Sequence, residues 1–164
     1  MLVPSSLMQS MASFVAQNVG AADEKRAKHA MFTGMGIGLT IGVVVFLLVL
    51  FKGDSLTSIF TTEKAVILQG YAYLKGFALE TIVTAVLFSM VGYFNGHDQT
   101  VWVMVQGLVQ TLLVRLPLAY YMSIQPHASL TNIGLAAPIA TIVGIILNLC
   151  FFIYLSKKMK KENA

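Results

Sequence analysis

The chain has 164 residues, a formal net charge of +4, 57% hydrophobic residues and only 11% charged ones. Soluble domains carry roughly 25% charged residues and need a polar face on each helix, which a mean hydropathy of +0.76 does not allow. The composition excludes an ordinary soluble domain: residues 31–51, 70–93, 100–122 and 132–155 are each apolar enough to cross a bilayer core, which takes roughly 20 such residues in a helix.

The positive charge is localised, which argues against nucleic-acid binding. Lys25, Arg26, Lys28, Lys157, Lys158, Lys160 and Lys161 account for seven of the 11 Lys and Arg residues. Turns 94–99 and 123–131 carry none, and loop 52–69 has only Lys52 and Lys64. Basic residues remain cytoplasmic. Loop 21–30 and the tail 157–164 are therefore predicted inside, loop 52–69 outside, and the C-terminus cytoplasmic. The expected fold is an all-α polytopic membrane bundle of about five helices over 1–156, followed by a basic tail over 157–164.

In chain order, segment 1–20 is the most polar span, with Ser5, Ser6, Gln9, Ser10, Ser13, Gln17 and Asn18. Gln9, Ser13 and Gln17 share one helix face. That face is predicted to meet other helices or a water-filled cavity, because unsatisfied polar groups in hydrocarbon are costly. Gly20 is expected to stop the helix. Helix 31–51 carries Gly34, Gly38 and Gly42 at spacing four, a small-residue face for close helix packing. Its Gly-Met-Gly-Ile-Gly run lacks the preceding strand and the spacing of a dinucleotide site.

Thr61 and Thr62 are placed to cap a helix starting near Glu63 and running to Tyr93. Tyr71 and Tyr73 would lie near the headgroups, and Lys75 would snorkel. Asn95-Gly96 supplies turn chemistry at the far end. Helix 100–122 carries Trp102, Gln106 and Gln110 on one face, with Arg115 and Pro117 further along. Helix 132–155 carries Gly134, Pro138, Gly144 and Asn148, and Pro138 is expected to kink or loosen it. Cys150, the only cysteine, permits no internal disulfide and reads as a small buried hydrophobe.

Glu80 is the most informative residue. An ionisable group deep in an apolar span marks a functional site by default. A carboxyl there can bind and release a proton, or ligate a hard cation such as sodium through oxygen. Arg115, at a similar depth in the next helix, is the alternative partner, and a structural Glu80–Arg115 ion pair would make Glu80 a poor proton carrier. Gln9, Gln17, Gln106 and Gln110 are candidates for a substrate cavity, with interhelical hydrogen bonding as the alternative for the last two. His29, His97 and His127 fall in loops on alternating sides, so they do not form one metal site. No nucleophile–base pair, zinc spacing or phosphate loop points to an enzyme.

The string Ala12 to Ala27, with Gln17-Asn18-Val19-Gly20-Ala21 leading into Asp23-Glu24-Lys25-Arg26, resembles the MATE family (multidrug and toxic compound extrusion). That family ends a helix in Gln-Asn-x-Gly-Ala before a basic turn, and many members have Gly where this chain has Ala22. Three further resemblances follow in family order. Gly92 to Thr100, with Asn95 and Gly96, is similar to a cytoplasmic turn in which many members have Gly at the position of His97 or Asp98. Val114-Arg115-Leu116-Pro117-Leu118 resembles the family's Arg-x-Pro, and Asn132-Ile133-Gly134-Leu135 the start of a lobe's last helix.

The resemblance implies a drug:cation antiporter of two six-helix lobes, of which this chain would supply helices eight to twelve in the C-terminal lobe. Its partners would be the lipid bilayer, the N-terminal lobe with helix seven, and small cationic drugs. It would lie in the plasma membrane, use no cofactor, and couple to protons or sodium. A helix-ten acid occurs in some branches, where Glu80 stands, although the best-known pattern has Asp. The isolated chain is expected not to transport. Two other readings stay open: a small dimeric exporter using Glu80, and a non-transporting membrane subunit with a structural Glu80–Arg115 pair.

Overall fold

A computed structural model describes residues 2–126 and 129–162, and all regular structure among them is helical. The elements are α1 (Leu2–Gly20), α2 (Glu24–Ser58), α3 (Lys64–Phe77), α4 (Glu80–Gly96), α5 (Thr100–Leu108), a π-helical segment (Val109–Arg115), α6 (Leu116–Ser123) and α7 (Leu130–Glu162). Three helices are long and apolar enough to cross a membrane, and the bent pair α3–α4 makes a fourth. The expected fifth span is helix α1. Its serines and glutamines keep it below the apolarity of the others.

The helices extend further than their apolar runs. Loop 21–30 shrinks to a three-residue turn because Asp23 caps α2, its carboxylate accepting the Arg26 N–H at 3.0 Å. Gly20 ends α1, yet the left-handed residue of the turn is Ala22, at φ 56°. Most of loop 52–69 is helical: α2 continues to Ser58 through a kink at Lys52 (φ −130°, ψ 15°). There the Tyr71 hydroxyl donates to Leu50 O at 2.6 Å. At the far end α7 runs unbroken through Pro138 and carries the basic tail as helix to Glu162.

The helix expected from near Glu63 to Tyr93 does begin at Lys64, with the Thr61 hydroxyl accepting the Glu63 N–H at 3.2 Å, but it breaks between Phe77 and Glu80 with a bend of 43°. The Thr81 hydroxyl donates to Ala78 O at 2.7 Å, and Thr81 N also reaches Ala78 O, at 3.1 Å. A side chain that returns to its own backbone in this way tightens and bends a helix. Span 100–122 is likewise interrupted. Pro117 has no N–H to give and its ring crowds the preceding turn. The turns before it widen into the π-segment, and Leu116 N bonds Thr111 O, five residues back.

α4 is the central helix, packed against α1, α2, α5 and α7. The Gly34–Gly38–Gly42 face of α2 meets α1 and α4, so closely at Gly42 that a methyl there would lie 2.6 Å from Thr81 O. The apolar core sits toward the basic end, where Met11, Val15, Met31, Met90, Tyr93, Phe94 and Leu155 cluster. Cys150 differs from expectation: it is exposed on α7 and not buried.

Candidate functional site

The break between α3 and α4 sets Glu80 in the first turn of α4, inside the bundle, with 4% of its surface exposed. The partial positive charge of a helix N-terminus favours a carboxylate there. Glu80 Oε1 accepts a hydrogen bond from Thr141 Oγ1 at 2.9 Å. Its second oxygen, Oε2, makes no hydrogen bond of full geometry, and neither does the hydroxyl of Thr84, which lies beside the carboxylate one turn along α4. Both residues line a cavity of about 410 Å³ between α1, α2 and α4. Leu7, Ile41, Val45 and Phe88 make most of its wall apolar, and no Lys, Arg or His lines it. A partly open apolar space with a carboxylate oxygen and a hydroxyl on its wall can receive a cation through oxygen.

The Glu80–Arg115 ion pair is not formed. Arg115 closes the π-segment, and the Glu80 carboxylate is bonded to α7 instead. At the basic end Glu24 pairs with Lys28 at 3.4 Å and with His97 at 2.8 Å.

The polar face of α5 points at α7. Trp102 Nε1 donates to Asn148 Oδ1 at 3.0 Å. Gln106 Nε2 donates to Gln110 Oε1 at 2.6 Å, and Gln110 Nε2 donates to Thr141 Oγ1 at 3.1 Å. These two glutamines therefore join Glu80 in one hydrogen-bonded series and do not line the cavity. Gln9 and Gln17 lie elsewhere, exposed with Ser13 along the outer face of α1, so among the described residues no helix covers the stripe expected to meet other helices or a water-filled cavity. Thr84 and Thr141 were not singled out in the sequence. Thr84 was legible four residues from Glu80, whereas Thr141 has no local signal.

Of the family-motif residues, Asn18, Gly20, Asn95 and Gly96 lie at the basic end, and Pro117 lies away from it. Asn18 Nδ2 donates to Phe14 O at 2.6 Å, and Asp23 N donates to Asn18 O at 2.9 Å. Asn95 and Gly96 end α4, and Pro117 occupies the first turn of α6. Glu24, outside the apolar stretch, accepts bonds from the buried Tyr93 hydroxyl and from His97 Nε2. Burial pushes the Glu24 carboxyl up. The bonds from Tyr93 and His97 and the charges of His97 and Lys28 outweigh that and hold it below the usual carboxylate range. His127 lies outside the described residues, and no cluster of three potential metal-ligating side chains occurs among those described.

Comparison with known proteins agrees with this architecture. The MatE family pattern matches residues 1–121, taking in the motifs at 12–27, 92–100 and 114–118. The "Probable multidrug resistance protein NorM" of Bacillus thuringiensis subsp. konkukian is 27% identical over 122 residues, covering 74% of this chain and 27% of that protein. A "FAD transporter" of Shewanella oneidensis is 26% identical over 121 residues, 73% of this chain and 26% of that protein. The match thus spans about a quarter of these relatives' length. A solved structure, the inward-facing conformation of a multidrug resistance MATE family transporter, superposes with a TM-score of 0.87 at 14% identity, over 96% of this chain and 36% of its own. With three of its four motifs inside the family match and its helices superposable on those of a solved member, the chain belongs to the MATE family of multi-pass membrane transporters.

Proposed function

We propose that this chain is part of a MATE-type multidrug efflux antiporter that exchanges cationic, amphipathic compounds for protons or sodium, with Glu80 as the carboxylate that takes the coupling cation. The observation that carries the reading is the state of Glu80: buried, hydrogen-bonded at full geometry through one oxygen only, and lining an apolar cavity. Such a group is costly in a membrane interior unless a cation or proton compensates it. The cavity walls also favour a cation over the anion that the name of the Shewanella relative implies.

In this reading the chain is the C-terminal lobe, helices eight to twelve, of a plasma-membrane protein with its C-terminus cytoplasmic. The exposed stripe Gln9–Ser13–Gln17 of α1 would face the cleft toward the N-terminal lobe and helix seven, where rocking of the lobes alternates access. The isolated chain would not transport. The test is ethidium efflux by the native protein in efflux-deficient cells. Glu80→Gln, which keeps the shape and removes the charge, should leave the membrane content unchanged and abolish cation-coupled efflux. Full coupled efflux by Glu80→Gln would overturn the assignment.

A further inference from the structure

Two other segments bear on Glu80. Thr141 Oγ1 donates its one hydrogen to Glu80 Oε1 at 2.9 Å, so toward Gln110 it only accepts, and Gln110 Nε2 supplies that bond at 3.1 Å. Gln110 Oε1 accepts in turn from Gln106 Nε2 at 2.6 Å. With the amides oriented as this bonding assigns them, every hydrogen in the series is directed toward the carboxylate. Bonds aligned in one direction polarise one another, and the series as a whole favours the carboxylate anion.

The series is closely fitted. Gln106 and Thr141 are 2% and 1% exposed. The glutamine pair lies against Gly144 of α7, where a methyl group would stand 2.7 Å from Gln106 Nε2. Gln110 stands in the π-segment, whose widened turns the following Pro117 imposes.

The alignment distinguishes the two carboxylate oxygens. A proton on Oε1 would oblige Thr141 to accept from Glu80 and to turn its own hydrogen out of the series, because Gln110 presents an N–H and offers no acceptor unless both amides turn over in a packed site. A cation at Oε2 disturbs none of these bonds, and neither Oε2 nor the neighbouring Thr84 hydroxyl makes a hydrogen bond of full geometry.

We propose that Thr141 and Gln110 are positioning residues that bias Glu80 toward its anion through Oε1, so that the coupling cation is taken on Oε2, and that Gln106, seated against Gly144, keeps the Gln110 amide from turning over. This inference rests on the reading of Glu80 as the coupling carboxylate.

The test is ethidium efflux by the native protein in membrane vesicles, titrated with the driving cation, whether proton or sodium. Thr141→Val keeps the shape and removes the donor. It should move the cation concentration for half-maximal efflux by about tenfold, the weight of one hydrogen bond to a charged group, while the maximal rate and membrane content stay within about twofold. Thr141→Ser, which restores the hydroxyl, should return the titration to that of the parent. If Thr141→Val does not accumulate, Gln110→Leu carries the same prediction at about threefold, since it acts one bond away.

A change in maximal rate with an unmoved cation midpoint would overturn the proposal, as would failure of Thr141→Ser to restore it. Glu80→Gln is run alongside. If that variant still couples efflux, the Glu80 reading fails and the inference with it. If it does not couple and the threonine and glutamine variants leave the midpoint unmoved, the inference fails alone.

Discussion

Gly42 lies where α2 crosses α4, on the wall of the Glu80 cavity. Alanine there would set its methyl carbon 2.6 Å from Thr81 O, 3.1 Å from Ile82 Cα and 3.2 Å from Thr81 C. All three are backbone atoms of α4, so no side-chain rotation relieves the contact and the two helices must move apart by roughly 1 Å to regain van der Waals distance. Overpacking of this kind costs about 1–3 kcal/mol. Against it stands the gain of about 0.5–1 kcal/mol from replacing glycine by alanine in a helix. Gly36, on the same helix and exposed, separates the two effects, because an added methyl there meets nothing within 4 Å. Gly36→Ala takes the helical gain alone. In thermal or denaturant unfolding in detergent, Gly42→Ala should be about 1–3 kcal/mol less stable than Gly36→Ala. Equal stability of the two variants, within about 0.5 kcal/mol, would refute the close helix contact from which the cavity is built.

Two further outcomes follow from the basic end. Ala22 adopts a left-handed φ of 56°, which costs a residue with a Cβ about 1 kcal/mol. Ala22→Gly should raise unfolding stability by about 0.5–1 kcal/mol, less whatever the extra freedom of glycine in the unfolded chain removes. Glu24 contributes stability that depends on its charge. Its folded value lies below the ordinary 4.5, so that contribution is present above 4.5 and is lost as pH falls through the folded value. The penalty of Glu24→Gln, measured by unfolding, should therefore be full at about pH 5 and shrink toward pH 3. A penalty that grows over that interval would contradict the bonds from Tyr93 and His97.

Much of the architecture was legible because it rests on local composition. Apolar runs mark the spans, and Lys and Arg placement marks the basic end. A lone carboxylate in an apolar run identifies Glu80 without any partner in view. Where expectation and structure differ, the deciding contact is distant or ambiguous in sequence. Thr81 bends the chain by choosing its own backbone over solvent, which hydrophobic periodicity does not register. Pro117 signals a disturbance, but a kink, a stop and a widened π-turn all begin from the same residue. Arg115 was the obvious partner for Glu80 by depth alone. The actual partner, Thr141, lies 61 residues away on another helix. Cys150 could not be oriented because α7 signals its inward face only through the sparse polar residues Thr141 and Asn148.

The polar character of α1 bears on how the protein reaches its membrane. Met11, Val15 and Asn18 are buried while Gln9, Ser13 and Gln17 are left outside, and the seat that buries the first three is made by α2 and α4. A segment with this many amides and hydroxyls partitions poorly into lipid alone. It emerges from the ribosome well before α4, which starts only at Glu80. At about 5–20 residues per second, translation leaves α1 waiting roughly 4–15 s for the whole of α4, the helix that completes its seat. Until then it must be held in the insertion machinery or at the membrane surface, so its insertion is a late event carried by its neighbours.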